Sequence, residues 1–95
     1  MRLNPEITEF LKAKILEISP EAKIYLFGSR ARDEDKGGDI DILILSEHKL
    51  GFEGLSKIRR EFWKKYGEQK LDLVNYTFED DASFKSLVLE YAIEL

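Results

Sequence analysis

Residues 24–45 read IYLFGSRARDEDKGGDIDILIL, and this stretch decides the fold of the chain. The first apolar run, Lys23–Phe27, is rich in the β-branched and aromatic residues that favour a strand. A Gly-Ser pair ends that strand, and the highly charged segment 30–38, which closes with two glycines, predicts a loop. Residues 39–45 form a second apolar run with the composition of a strand. The stretch therefore predicts two strands joined by a charged loop.

The segments on either side of these strands carry a helical pattern. Apolar residues at helical spacing predict a first helix over Pro5–Ile18, with Asn4 as its N-cap. The same spacing predicts a second helix over Gly51–Tyr66, and Gly67 follows it as a stop signal. Residues 71–76 return to the composition of a strand. The middle of the chain is thus predicted to run strand, helix, strand.

The last fifteen or so residues are predicted to form a final helix. Asp80 or Asp81 is a candidate for its N-cap. The apolar residues expected on its inner face are Phe84, Leu87, Val88, Tyr91 and Leu95. The full order becomes α-β-β-α-β-α, which indicates one α/β or α+β domain over residues 1–95, with a sheet covered by helices.

The composition limits what the chain can do. It has 95 residues, enough for one domain, and no cysteine, so it forms neither a disulfide nor a thiolate metal site. No apolar run approaches the ~20 residues that span a bilayer, and the N-terminus lacks a signal-peptide pattern. We therefore expect a cytoplasmic protein. The net charge of -4 disfavours direct binding to nucleic acid, because that binding depends on neutralising phosphates with basic residues.

Two aspartates at the start of the second predicted strand form the first candidate site. Side chains alternate across a strand, so Asp39 and Asp41 are expected on one side, with Ile40 and Ile42 on the other. Asp is disfavoured in strands, and two neighbouring carboxylates repel each other unless a cation offsets their charge. Mg²⁺ prefers such oxygen ligands and often shares them with substrate phosphates. For an isolated Asp-x-Asp, two solvent-facing side chains on a half-exposed strand are the better interpretation.

Asp72 and the Gly28-Ser29 pair become informative beside those aspartates. Asp72 lies between apolar residues of the third predicted strand, and if that strand adjoins the second, three carboxylates converge. Three carboxylates can hold two divalent ions, which stabilise the attacking and leaving oxygens of an in-line displacement. Glycine lets the backbone approach a ligand closely, and the N–H groups of such a turn can bind phosphate. Taken singly, a solvent-facing Asp72 and an ordinary turn at Gly28-Ser29 are the better interpretations.

The combination resembles a known superfamily. A Gly-Ser pair, nine intervening residues, an Asp-x-Asp motif at 39–41 and the later Asp72 are similar to the DNA polymerase β-type nucleotidyltransferases. The sequences FGSRAR, residues 27–32, and GDIDI, residues 38–42, are especially similar to the minimal nucleotidyltransferases, called MNT proteins. The resemblance implies a nucleotidyltransferase fold with a small mixed sheet. It also implies transfer of a nucleoside monophosphate from a triphosphate such as ATP to a hydroxyl acceptor.

The resemblance assigns roles to residues of this chain. The implied catalytic and metal-binding residues are Asp39, Asp41 and Asp72, which would hold two Mg²⁺ ions. Asp72 would also help to deprotonate the attacking hydroxyl. Gly28 and Ser29 would hold the β- and γ-phosphates, and Arg32, one helical turn after Ser29, would reach the same phosphates. The implied reaction is attack on the α-phosphate with pyrophosphate leaving.

The resemblance to minimal members also implies a protein partner. Such proteins are often encoded beside a helical HEPN-type ribonuclease toxin, and they act as its antitoxin by transferring AMP to a toxin tyrosine. The shortness and acidity of this chain favour a protein acceptor over a nucleic acid. Two alternatives stay open at this point, a non-catalytic protein-binding module and a nucleotidyltransferase that modifies a small alcohol. The oligomeric state is open as well.

Overall fold

A computed structural model describes residues 3–31, 38–67 and 69–95, apart from the side chains of Ser29 and Arg30. The helices are α1 (Pro5–Ile18), α2 (Gly51–Tyr66) and α3 (Ser83–Leu89), and the strands are β1 (Lys23–Phe27), β2 (Ile40–Ser46), β3 (Leu71–Thr77) and β4 (Ile93–Glu94). The predicted α/β fold and its order of elements are confirmed, with β4 added at the end. A single 3-10 turn, Gly28–Ala31, follows β1 directly. Within these ranges no helix is long and apolar enough to cross a membrane.

The four strands form one mixed sheet in the order β3-β2-β1-β4. Strand β1 is antiparallel to both β2 and β4, whereas β2 and β3 are parallel. Parallel strands need a crossover connection, and α2 supplies it between β2 and β3. The adjacency that the sequence left open is thereby established, because β3 pairs with β2 over its whole length.

The sheet carries a separate apolar core on each face. The larger core packs against α1 and α2, and its most buried members include Leu11, Ile15, Ile42 and Phe62. The smaller core, on the opposite face, consists of Leu43, Leu45 and Val88 with half-buried neighbours. Strand β2 is therefore buried on both faces from position 42 to position 46. Asp41 precedes this buried run and, by alternation, lies on the face of the smaller core.

The predicted ends of the first two helices are confirmed. The Asn4 side chain accepts a hydrogen bond from the Glu6 N–H at 2.8 Å, and Pro5 occupies the first turn of α1. At the end of α2, the Gly67 N–H donates to the Trp63 carbonyl at 2.9 Å. Gly67 has a φ of 84°, which only glycine adopts readily. Local sequence signals therefore set these boundaries.

The start of α2 is held by a side chain from another strand. Asn75, on β3, accepts a hydrogen bond from the Leu50 N–H at 2.7 Å. Its amide nitrogen donates to the Ile44 carbonyl and to the Ser46 hydroxyl at 3.0 and 3.1 Å. One side chain thus joins β3, the end of β2 and the first turn of α2.

The prediction for the last helix is wrong at its start. Helix α3 begins at Ser83 with Ala82 as its N-cap residue, and no side chain caps it. The Asp80 carboxylate instead accepts a hydrogen bond from the Thr77 N–H at 2.8 Å, at the end of β3. Asp80 therefore closes the turn after the strand and is not available to cap the helix.

The predicted inner face of that helix is also wrong. Of its five apolar residues, Val88 is buried, whereas Phe84, Leu87 and Tyr91 are exposed. Lys85 is buried in their place, and its Nζ donates to the carbonyls of residues 77, 78 and 80. Helix α3 ends at Leu89 because the chain turns to form β4, so helical spacing does not extend to the last residues.

Candidate active site

Asp41 and Asp72 lie side by side at one end of the sheet. They are directly paired in the parallel register of β2 and β3, so both side chains project from the same face. Both residues are half-buried, and their carboxyl groups are within hydrogen-bonding reach of each other. The pair follows from the register alone, since a shift by one residue would place the two carboxylates on opposite faces.

Asp39 lies close to this pair but is held by a lysine. Asp39 and Lys70 immediately precede Ile40 and Leu71, the first pair of the register that also pairs Asp41 with Asp72. Lys70 Nζ lies 3.7 Å from Asp39 Oδ2, and both side chains are more than half exposed. The structure thus brings Asp41 and Asp72 together, with Asp39 engaged by Lys70 at the rim. The ion pair of Lys70 with Asp39 was not predicted from the sequence. Aligning β2 and β3 as parallel neighbours, with Asp41 beside Asp72, would have indicated it.

The surroundings of Asp41 disfavour the ionised form of its carboxyl group. Burial raises the pKa of Asp41 to about 6, helped by its hydrogen bond with Asp72 and by the charges of Asp72 and Asp39. Lys70 acts in the opposite direction and lowers that pKa. A carboxyl group that resists ionisation for these reasons is one that a bound cation would stabilise in its charged form.

The backbone at Gly28 lies directly against Asp41. Gly28 has a φ of 75°, a conformation that residues with a Cβ rarely adopt. A Cβ built at this position would overlap Oδ2 of Asp41 and lie 3.0 Å from its Cγ. Glycine is therefore required here both by the backbone conformation and by the approach of the carboxylate. The 3-10 turn that Gly28 begins is thus fixed against the carboxylate pair.

The other predicted phosphate ligands are described only in part. The backbone of Ser29 lies in the Gly28–Ala31 turn, and its hydroxyl lies outside the described part of the chain. Arg32 lies outside the described residues altogether. Their assignment to the phosphates stays a prediction.

An aromatic wall borders the carboxylates on the same face of the sheet. Phe27 is paired with Asp41 in the β1–β2 register, so the two side chains are neighbours. The ring of Phe84, from α3, meets Phe27 edge-on with centroids 6.0 Å apart, and Tyr76 lies 6.5 Å from Phe84. This wall was not predicted, because the helical spacing places Phe84 on the inner face of the last helix.

The oxygen atoms of these carboxylates are donors of the kind that bind a divalent metal. In the described parts of the chain, no group of three His, Cys, Asp or Glu residues is arranged to hold a metal ion. Asp41 and Asp72 supply adjacent oxygen ligands on a partly exposed face, which is the donor chemistry that Mg²⁺ prefers. Asp39 could join them only if its carboxylate left Lys70.

Comparison with known families identifies the chain. Residues 6–95 match the model of the nucleotidyltransferase domain family. The chain belongs to this family. The predicted nucleotidyltransferase activity is thus confirmed at the level of the enzyme class. A search of curated proteins gave no match for this nucleotidyltransferase.

Solved structures share the fold of this nucleotidyltransferase. A chain of a mutant toxin–antitoxin MntA–HpeT complex has a TM-score of 0.69 and 22% identity, over 99% of this chain and 72% of that chain. A chain of a second mutant of that complex has a TM-score of 0.66 and 19% identity, over 97% of this chain and 71% of that chain. A chain of the complex between the tri-AMPylated HEPN toxin of Shewanella oneidensis and MNT antitoxin has a TM-score of 0.60 and 20% identity, over 94% of this chain and 65% of that chain. The similarity to MNT proteins is confirmed in the fold.

Proposed function

We propose that this nucleotidyltransferase transfers AMP from ATP to a tyrosine hydroxyl of a HEPN-type toxin and so acts as the antitoxin. The observation that carries the transfer is the position of Asp41, which is paired with Asp72 and lies against the Gly28 turn. The choice of acceptor is supported by the fold neighbours, which are toxin–antitoxin complexes, one with a tri-AMPylated HEPN toxin. A protein acceptor also suits the acidic character of the chain.

Mg²⁺ is the proposed cofactor, held by Asp41 and Asp72 with Asp39 as a further ligand. Three carboxylates suffice for two ions in enzymes that carry out in-line displacement. When bound, the metal supplies positive charge that offsets both the carboxylates and the triphosphate. Burial raises the pKa of Asp41, the neighbouring carboxylates raise it further, and a bound cation would favour the ionised form against both effects.

The residues of the chain orient the substrates and accept the proton. The N–H groups of the Gly28 turn would direct the β- and γ-phosphates, which sets the α-phosphorus over the carboxylates. The acceptor oxygen forms a bond to the α-phosphorus while the bond between the α-phosphorus and the bridging oxygen breaks, and pyrophosphate leaves. Asp72, at the edge of the pair, takes the hydroxyl proton. Asp41 remains ionised and would hold the metal beside Asp72.

A labelling experiment tests this function. Wild-type protein is incubated with α-labelled ATP, Mg²⁺ and the purified product of the adjacent gene, and label on that product is counted. Asp41→Asn should lower transfer by about a hundredfold or more, because charge stabilisation worth several kcal/mol is lost. Glu53→Gln, an exposed change in the first turn of α2, serves as the matched control and should transfer as wild type. Equal labelling by Asp41→Asn and wild type would refute the assignment of the site.

A further inference from the structure

An exposed apolar stripe runs along α3 and the turn after it. Phe84, Leu87 and Tyr91 follow helical spacing, and their exposed fractions are 45%, 55% and 58%. These three residues are named the α3 stripe. The stripe lies on the outer side of α3, since Val88 and Lys85 occupy the buried side. Large apolar groups at this spacing, left exposed together, mark a surface for association rather than for the core.

The chain around the α3 stripe is acidic. Glu79 and Asp81 precede α3, Glu90 and Glu94 follow it, and all four are exposed. Between positions 78 and 95 the one basic residue is Lys85, which is buried with its Nζ bound to three carbonyl groups. Outside this segment, Lys49 Nζ lies 5.5 Å from the centroid of the Tyr76 ring. The exposed charge that the segment itself presents beside the stripe is therefore negative. A surface of this kind fits a partner with apolar side chains at its centre and basic side chains around them.

The α3 stripe is continuous with the candidate active site. Its first member, Phe84, contacts Phe27 with ring centroids 6.0 Å apart. Phe27 is paired with Asp41 in the sheet and is followed by Gly28. A protein seated on the stripe would therefore lie beside the carboxylates, within reach for a side chain that receives the nucleotide.

We propose that the α3 stripe and its acidic border form the docking surface for the protein acceptor, through an apolar, basic-rimmed surface of that acceptor. The proposal rests on the function proposed above, because it needs an acceptor that is a protein. A second copy of this chain is disfavoured as the occupant. In a symmetric dimer the two acidic borders would face each other, and each chain carries a net charge of -4.

Two variants test the surface against a matched control. Leu87→Ala shortens the stripe at an exposed position, and Glu90→Lys reverses one charge of its border. Phe52→Ala is the control, because Phe52 is 74% exposed but belongs to α2, on the opposite face of the sheet. The dissociation constant for the purified product of the adjacent gene is measured by calorimetry at low and high salt. Unfolding temperatures of all variants confirm that each is folded.

The proposal predicts that Leu87→Ala weakens binding about tenfold and that Glu90→Lys weakens it and reduces its salt dependence. Phe52→Ala should bind as wild type, and Asp41→Asn should bind normally while losing transfer. Normal binding by both stripe variants would overturn the docking proposal and leave the transfer function standing. A stripe variant that loses only self-association, seen by sedimentation, would overturn it in favour of a second copy. If wild type neither binds nor modifies the adjacent gene product, both proposals are rejected.

Discussion

Gly28 and Asp41 are in direct contact across the β1–β2 pair, and a Cβ at position 28 would overlap the Asp41 carboxylate. This contact fixes the turn that follows β1 against the carboxylate pair formed with Asp72. It also explains in physical terms why a glycine is found at the end of β1. The geometry of the site therefore requires that residue 28 has no Cβ, and substitution of Gly28 tests this.

Gly28→Ala should destabilise the protein and disturb the site. Both a positive φ and an overlap with Asp41 oppose a Cβ at this position, and we expect a loss of about 2–3 kcal/mol in the unfolding free energy. Gly51 provides the matched control, because its φ is 82° but a Cβ there would meet nothing within 4 Å. Gly51→Ala should therefore lose only about 1 kcal/mol. Denaturant unfolding measures both, and equal losses would show that contact with Asp41 has no effect.

The stability of the metal-free protein should depend on pH through Asp41. Its pKa in the folded state is about 6, above the ordinary value of 3.8, so the folded state binds this proton more tightly than the unfolded state. The unfolding free energy contributed by this group should therefore fall as pH rises from about 4 to about 6. Asp41→Asn mimics the protonated form and should remove that fall.

Thermal unfolding in the presence of a chelator at pH 4 to 8 measures this effect. The Asp41→Asn variant should unfold at a higher temperature than wild type above pH 6 and at the same temperature near pH 4. A difference that stays constant over this range would contradict the electrostatic description of Asp41.

Lys70 should weaken the binding of a divalent metal in the absence of nucleotide. Its ammonium pairs with Asp39 and lowers the pKa of Asp41, so it occupies part of the negative charge that a metal would use. Because exposed ion pairs are worth at most about 1 kcal/mol, Lys70→Gln should tighten Mg²⁺ binding by up to about fivefold. Calorimetric titration measures this, with Lys23→Gln on β1 as the control. Weaker Mg²⁺ binding by Lys70→Gln would show that Lys70 does not compete with the metal for these carboxylates.

Asn75 should contribute more to the unfolding free energy than Asn4, the helix cap. Asn75→Ala removes the acceptor for the Leu50 N–H and the donor for the Ile44 carbonyl, leaving part-buried groups without partners, at about 2–3 kcal/mol. Asn4→Ala removes one exposed helix cap and should lose about 1 kcal/mol. Urea unfolding of both variants tests the difference. A smaller loss at position 75 than at position 4 would mean that the Asn75 bonds do not hold α2 in place.

The elements that local signals define could be predicted from the sequence. Asn4 and Gly67 set the ends of their helices through hydrogen bonds within a few residues, so the sequence contains the cause of each boundary. The sequence predicted that Asp41 and Asp72 meet only if β3 lies beside β2. The two residues are 31 positions apart, so the register of the parallel strands brings them together. The topology then satisfied that condition.

The last part of the chain could not be predicted because tertiary contacts override its pattern. Lys85 takes an interior position because it donates to three backbone carbonyls, one at the end of β3 and two just after it, and this turns Phe84 and Leu87 outward. The register also sets Lys70 opposite Asp39, a relationship that separate inspection of either residue does not reveal. The exposed stripe and the lysine of the site are therefore findings of the structure.

Transfer of AMP by the carboxylate pair would add a defined mass to the acceptor protein, so the intact mass of that protein reports the reaction. The intact mass of the adjacent gene product is recorded after incubation with ATP, Mg²⁺ and either wild-type protein or Asp72→Asn. We predict that wild type adds the mass of one or more AMP groups and that Asp72→Asn adds none. AMP addition by Asp72→Asn at the wild-type rate would contradict transfer by the carboxylate pair.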